Sequence, residues 1–288
     1  MSSDVTTPRL RATFADLPFE LSEHIVLLAA HVHFDTSKAT LASLSRTSRA
    51  INTLVQPILR HTVIFDDDNA ERFRSLIRAG HADSFSLTRR VLIPRLVTPV
   101  TLSSLAISAR AFGNISAFAG PPRAAWLLLE AAPNITMLIT TASTTSAALL
   151  APRRAESMRF ITHLRIQLAL RDLVNFKGPR SVWPPALTHV IFETSAEPGD
   201  QRNPLTAGIL KYHINNIIKR HLVIQRILVR LPRWAAATLG ELRRYARQMP
   251  TSKLWYEIEA EDALLDQVTV FDESTWLLGD PLYVPVEF

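Results

Sequence analysis

The sequence predicts an α/β fold: a short N-terminal helical module, followed by an irregular solenoid of strand–helix units built on a parallel sheet. Three observations predict it. A short β-branched, apolar run recurs at a fixed interval. Helical stretches separate its copies. The segment before the first copy carries apolar residues at helical spacing only.

The N-terminal module begins at Leu17-Pro18-Phe19-Glu20-Leu21. Pro18 suits the first turn of a helix, where a fixed φ is compatible and no N–H is needed. Asp16, Glu20 and Glu23 place negative charge at the positive end of the helix dipole. Leu21, Ile25, Leu28 and Val32 fall on one face, widened by Leu27 and Ala29. Residues 31–40 are polar and are expected to form a connection. Leu41, Leu44 and Ser48 continue the helical spacing, as do Ile51, Leu54, Val55 and Ile58, and Pro57 is expected to end this third helix. Three helices in so few residues bury too little surface for a full core, so the module needs a partner or the following domain to cover its apolar face.

These residues carry a resemblance. Leu17-Pro18-Phe19-Glu20-Leu21 with Ile25, then Leu44-Ser45-Arg46-Thr47-Ser48-Arg49 and Ile51-Asn52, resemble an F-box across residues 14–60. The family's Val-Cys-Lys-x-Trp run is replaced here by Ser45-Arg46-Thr47-Ser48-Arg49-Ala50. The resemblance implies docking onto a Skp-type adaptor of a cullin–RING ubiquitin ligase, through Leu17, Pro18, Leu21, Ile25, Leu41 and Leu44. The other reading is a helical cap on a larger scaffold with no ligase partner.

The recurring run is Ile135-Thr136-Met137-Leu138-Ile139-Thr140, then Ile161-Thr162-His163-Leu164-Arg165-Ile166, then Leu187-Thr188-His189-Val190-Ile191-Phe192, with successive copies 26 residues apart. Looser copies start at His61, Leu87, Ile224 and Leu254, and the step from Leu187 to Ile224 widens to 37 residues. Short runs of this composition read as strands. Helical patterns lie between them at residues 69–79, 121–132, 204–221 and 233–249. A strand–helix period near 26 residues lies in the range of leucine-rich repeats, and the units resemble degenerate copies of that repeat, as in the Ala132-Pro133-Asn134-Ile135-Thr136 turn. A helical module followed by such an array is the layout of a substrate receptor, in which the array holds an unknown client protein.

The expected organisation is therefore a disordered N-terminus at 1–13, the F-box-like module at 14–60, an irregular α/β repeat domain at 61–259 and an acidic C-terminal cap at 260–288. The cap carries seven acids and no Lys or Arg, against 19 acids and 32 bases elsewhere. It also contains Phe271, Trp276 and Tyr283, so it is expected to cover the last unit and not to hang free.

The basic body admits a nucleic-acid partner, but no aromatic residues interleave with its basic clusters, and a solvated face is preferred. With no cysteine in the sequence, disulfides, thiolate zinc sites and cysteine nucleophiles are excluded. No secretory leader and no stretch long enough to span a membrane is read, and a cytoplasmic or nuclear location is expected.

No enzyme is expected. Glycine loops for phosphate and nucleophile elbows are absent from the sequence. Asp66-Asp67-Asp68 suits a magnesium ion less well than helix capping, with Asp68 as the cap. His31 and His33 lack companions for a metal. His163 and His189 occupy equivalent places in adjacent strands, where they would stack. No catalytic residue, cofactor or metal site is assigned.

Overall fold

The computed structural model describes residues 17–33, 38–93, 98–140, 156–169, 183–195, 205–233, 235–249, 251–259, 271 and 273–282. The expected disordered stretch at 1–13, and residues 260–270 and 283–288 of the acidic end, lie outside them. The chain divides into two units, residues 1–60 and 61–288.

The first unit holds α1 (Phe19–His33), α2 (Lys38–Ser45) and α3 (Arg49–His61). Its core is small: Val26, Ala30, Leu41 and Val55 are buried, and Leu44, Ile51, Leu54, Ile58 and Leu59 pack around them. Pro18 stands just before α1, and its carbonyl accepts from Ser22 N at 3.0 Å. The hydroxyl-rich run between α2 and α3 makes a tight corner. Ser45 Oγ donates to Ala42 O, Thr47 Oγ1 donates to Leu44 O, and Ser48 Oγ accepts from Ile51 N at 3.2 Å, which caps α3.

Two expectations are corrected here. The connection does not run from 31 to 40, because α1 continues through His31 and His33 and α2 starts at Lys38. Nor does Pro57 end the third helix: α3 passes through it to His61. Proline removes one N–H from the helix ladder, but Val55, Ile58 and Leu59 on either side are held in the core.

In the second unit, nine strands form one mostly parallel sheet in sequential order: β1 (Thr62–Ile64), β2 (Arg90–Leu92), β3 (Ala117–Gly120), β4 (Met137–Thr140), β5 (His163–Ala169), β6 (His189–Ser195), β7 (Arg226–Pro232), β8 (Leu254–Glu259) and β9 (Asp280–Pro281). Strands β1 to β8 pair in parallel, and β9 pairs antiparallel with β8. Helices α4 (Ala70–Arg78), α5 (Pro99–Ser108), α6 (Pro122–Ala131), α7 (Leu205–Arg220) and α8 (Ala236–Gln248) share one core with a single face of this sheet.

The register explains the repeat. Val63, Val91, Phe118, Leu138, Leu164, Val190, Ile227 and Leu254 are successive partners, and all eight are buried. Burying each large apolar side chain contributes about 1.5–3 kcal/mol. The 26-residue interval is the true register from β4 to β6, since Met137 pairs with His163 and His163 with His189. The 37-residue step is equally real, because His189 pairs with Arg226.

The Ile/Leu-Thr signature has a physical cause. The apolar member (Ile135, Ile161 or Leu187) is buried. The threonine hydroxyl donates to a carbonyl one strand back: Thr136 to Ser116 O, Thr162 to Thr136 O and Thr188 to Thr162 O, at 3.2, 3.2 and 3.0 Å. The first copies pair two residues later than expected, with Thr62 opposite Arg90.

The helices expected at 69–79, 121–132, 204–221 and 233–249 are α4, α6, α7 and α8. Besides short 3-10 turns, two strands and one α-helix are additional among the described residues: β3, β9 and α5. The aspartate triplet also works differently from expectation. Asn69 precedes α4 and exchanges hydrogen bonds with Asp66, whose Oδ1 accepts from Asn69 N. Asp67 accepts from Thr98 N and from the Thr98 and Thr101 hydroxyls at the start of α5, and these bonds hold its carboxyl below the usual range.

Candidate functional site

Each unit presents one surface. In the helical unit, Leu17, Leu21, Ile25 and Leu28 lie three or four residues apart, on one side of α1 and its approach. Their exposures are 37, 52, 45 and 60%. Pro18 is exposed beside them. Leu41 and Leu44, nominated from the sequence with this group, sit elsewhere. Leu41 is 1% exposed, inside the module's own core, and Leu44 packs half-buried against that core. So placed, these two tie α2 to the module's core. Leu28 was not among the nominated contacts, although its spacing already put it on the same side.

In the second unit the site is the sheet face away from the helices. Over β1 to β4 this face is apolar: Ile64, Leu92, Ala117, Ala119, Met137 and Ile139, with Phe271 buried among them. Over β5 to β8 it is mixed: Ile191, Leu228 and Trp255 continue the apolar cluster, and charged side chains lie among them. Arg165 pairs with Glu193, and both side chains are 6% exposed. Arg230 reaches the same Glu193 carboxylate at 3.2 Å and Glu257 at 2.7 Å. One carboxylate thus serves two guanidinium groups in a region that holds little water. Sequence reasoning nominated none of these residues. A signal was present: Glu193, Arg230 and Glu257 interrupt apolar strands and are register partners in turn.

His163 and His189 stack as expected, with ring centroids 4.6 Å apart and planes 5° apart. Each ring is held by its preceding threonine, Thr162 at 2.9 Å and Thr188 at 3.0 Å from Nδ1. Each threonine's one proton goes to a backbone carbonyl, so Nδ1 must be the donor and Nε2 carries the lone pair. Burial, with His163 and Arg226 nearby, pushes His189 down to about 4, and burial lowers His163 as well. Both rings are therefore neutral near pH 7.

The C-terminal segment lies on this face. Arg90 is stacked over the Phe271 ring at 5.7 Å, and Trp276 meets His163 edge to face at 4.9 Å. Arg230 donates to Thr275 O at 3.3 Å, and Arg226 to Leu277 O and Leu278 O at 2.9 and 2.7 Å. Gly279, with φ +95°, then turns the chain into β9; a Cβ there would lie 2.5 Å from Tyr256 O. Through β9 the segment pairs with β8, the last parallel strand. It also crosses the open face from β2 to β8, which the expectation of a terminal cap did not include.

Among the described residues no group of three or more His, Asp or Glu is placed to hold a metal ion, and no helix is long and apolar enough to cross a membrane. His213 on α7 is buried among Trp183, Phe192 and Tyr212, and burial pushes it down to about 4. No family model, no curated protein and no solved structure matches this chain.

Proposed function

We propose that this protein is a substrate receptor of a cullin–RING ubiquitin ligase. The F-box-like helices dock a Skp-type adaptor, and the second unit, an irregular leucine-rich-repeat-like solenoid, holds a client protein. The chain makes and breaks no bonds itself. The observation that carries this reading is the apolar stripe Leu17, Leu21, Ile25 and Leu28, open to solvent on a module that already has its own small core. A large apolar side chain gains about 1.5–3 kcal/mol when a partner buries it, so three or four anchors can support a complex after association costs are met. The sequential strand order and the threonine-linked units support the repeat-array half.

Co-purification with a Skp-type adaptor tests the reading. Wild-type chain is expected to retain adaptor, and Leu17→Ala with Pro18→Ala to lose it while the melting profile stays unchanged. Capture by the double variant equal to wild type refutes the docking role and leaves a repeat scaffold without a ligase partner.

A further inference from the structure

The contacts beneath the C-terminal segment are chemically incomplete. Arg226 donates to two neutral carbonyls and stacks on Trp255 at 3.8 Å, and among the described residues no carboxylate reaches it. Its Nε is buried without a hydrogen-bond acceptor, as are Arg165 Nε on the sheet and Trp276 Nε1 on the segment. Arg165 and Arg230 share Glu193, Arg230 also reaches Glu257, and Arg226 reaches neither, so among the described ion pairs of this part of the face three guanidinium groups meet two carboxylates. The segment answers Arg226 and Arg230 with main-chain oxygens of residues 275, 277 and 278, which any peptide supplies. Its distinctive contribution is two buried aromatic anchors, Phe271 and Trp276. A hydrogen bond from a guanidinium to a carboxylate is stronger than one to a carbonyl, and a buried donor without an acceptor is a standing cost.

We propose that the sheet face at β5–β7 is a binding surface for an acidic peptide segment bearing an aromatic residue, and that residues 273–282 occupy it as an internal stand-in. An incoming peptide places its aromatic ring against the His163–His189 stack, where Trp276 sits, and a carboxylate on Arg226 in place of the carbonyls of residues 277 and 278. The inference deepens the client-holding half of the proposed function and rests on it. It needs no adaptor, so its failure is distinct from failure of adaptor capture.

Gly279 supplies the test. Gly279→Ala places a Cβ against Tyr256 O and strains a positive φ, which dislodges the segment's landing on β8 and leaves every charged side chain of the face intact. The probes are a fluorescent peptide of residues 271–282 and the same peptide with Leu277→Glu and Leu278→Glu, titrated into full-length wild-type and Gly279→Ala chains. Wild type is expected to bind both weakly. The variant should bind both, with the doubly substituted peptide favoured by about tenfold or more, as one added charge-assisted bond requires. Adding Arg226→Gln to the variant should erase that preference. Equal affinity for the two peptides, or no gain from Gly279→Ala, overturns the proposal. A second measurement decides the matter should the variant fail to fold: amide exchange of wild type with saturating acidic peptide. Exchange within residues 273–282 should accelerate while β5 to β7 stay protected, and an unchanged pattern overturns the proposal.

Discussion

Glu193 sets the electrostatics of the open face. Its carboxylate is shared by Arg165 and Arg230, and all three side chains are nearly out of water. Removing one partner of a buried ion pair costs about 3–5 kcal/mol, because the cation left behind keeps its desolvation penalty. Glu193→Gln is therefore expected to lower stability by that amount in urea unfolding. Glu257→Gln removes a carboxylate whose side chain is 29% exposed, and should cost about 1 kcal/mol or less. Equal losses from the two would show that sharing is not what makes Glu193 important. Little of this was legible beforehand: a Glu or an Arg in a strand reads as a solvent-facing position until the strap over the sheet is seen.

At the scale of elements, the threonines at the strand starts join hydroxyl chemistry to register. Thr162 donates to Thr136 O and accepts from His163 Nδ1, so Thr162→Val keeps the shape and removes both bonds. The expected loss is about 1–3 kcal/mol, read as a shift in the urea midpoint without a change in slope; a neutral outcome would reduce the ladder to packing alone. Strands β4 to β6 were legible because their apolar, hydroxyl and β-branched positions repeat together. Strand β3 was not, because Ala117-Phe118-Ala119-Gly120 replaces bulk with small residues. Gly120 leaves no space for a side chain: a Cβ would lie 2.9 Å from Ile93 Cβ. Only the Ile115-Ser116 pair before it kept the signature. Helix α5 was hidden by an inverted pattern. Its Thr101, Ser104 and Ser108 are buried, whereas Val100 and Ile107 are exposed. Along α1 the exposed stripe was readable from spacing, but Leu41 was not separable from it, since core and exposed leucines look alike until the helices are packed.

For the whole molecule, buried histidines make stability depend on pH. His189 and His213 sit near pKa 4 in the folded chain, against an ordinary value of 6.5, and His163 is lowered in the same direction. Above about pH 7 these groups are neutral in both states and contribute no slope. As pH falls from 6.5 towards 4, the unfolded chain takes up protons that the folded chain refuses, so stability declines through that window. Urea midpoints from pH 8 to 4 should be flat and then fall, and His213→Phe should make the fall shallower. A midpoint that holds constant down to pH 4.5 would contradict burial of these rings in the neutral form. The proposed adaptor capture should not follow this profile while the chain stays folded, because Leu17, Leu21, Ile25 and Leu28 do not titrate.

The even interval from Thr136 to Thr162 to Thr188 has a consequence for how such a chain changes length. Excising 26 residues between the first and last of these threonines sets Thr188 opposite Thr136, hydroxyl to carbonyl, with the apolar spine unbroken. From β4 to β6 the strand spacing is even, so a piece of that length can be added or removed there with the register kept. What the removed piece takes away is its outward side chains, here His163 and Arg165, while the apolar spine is kept.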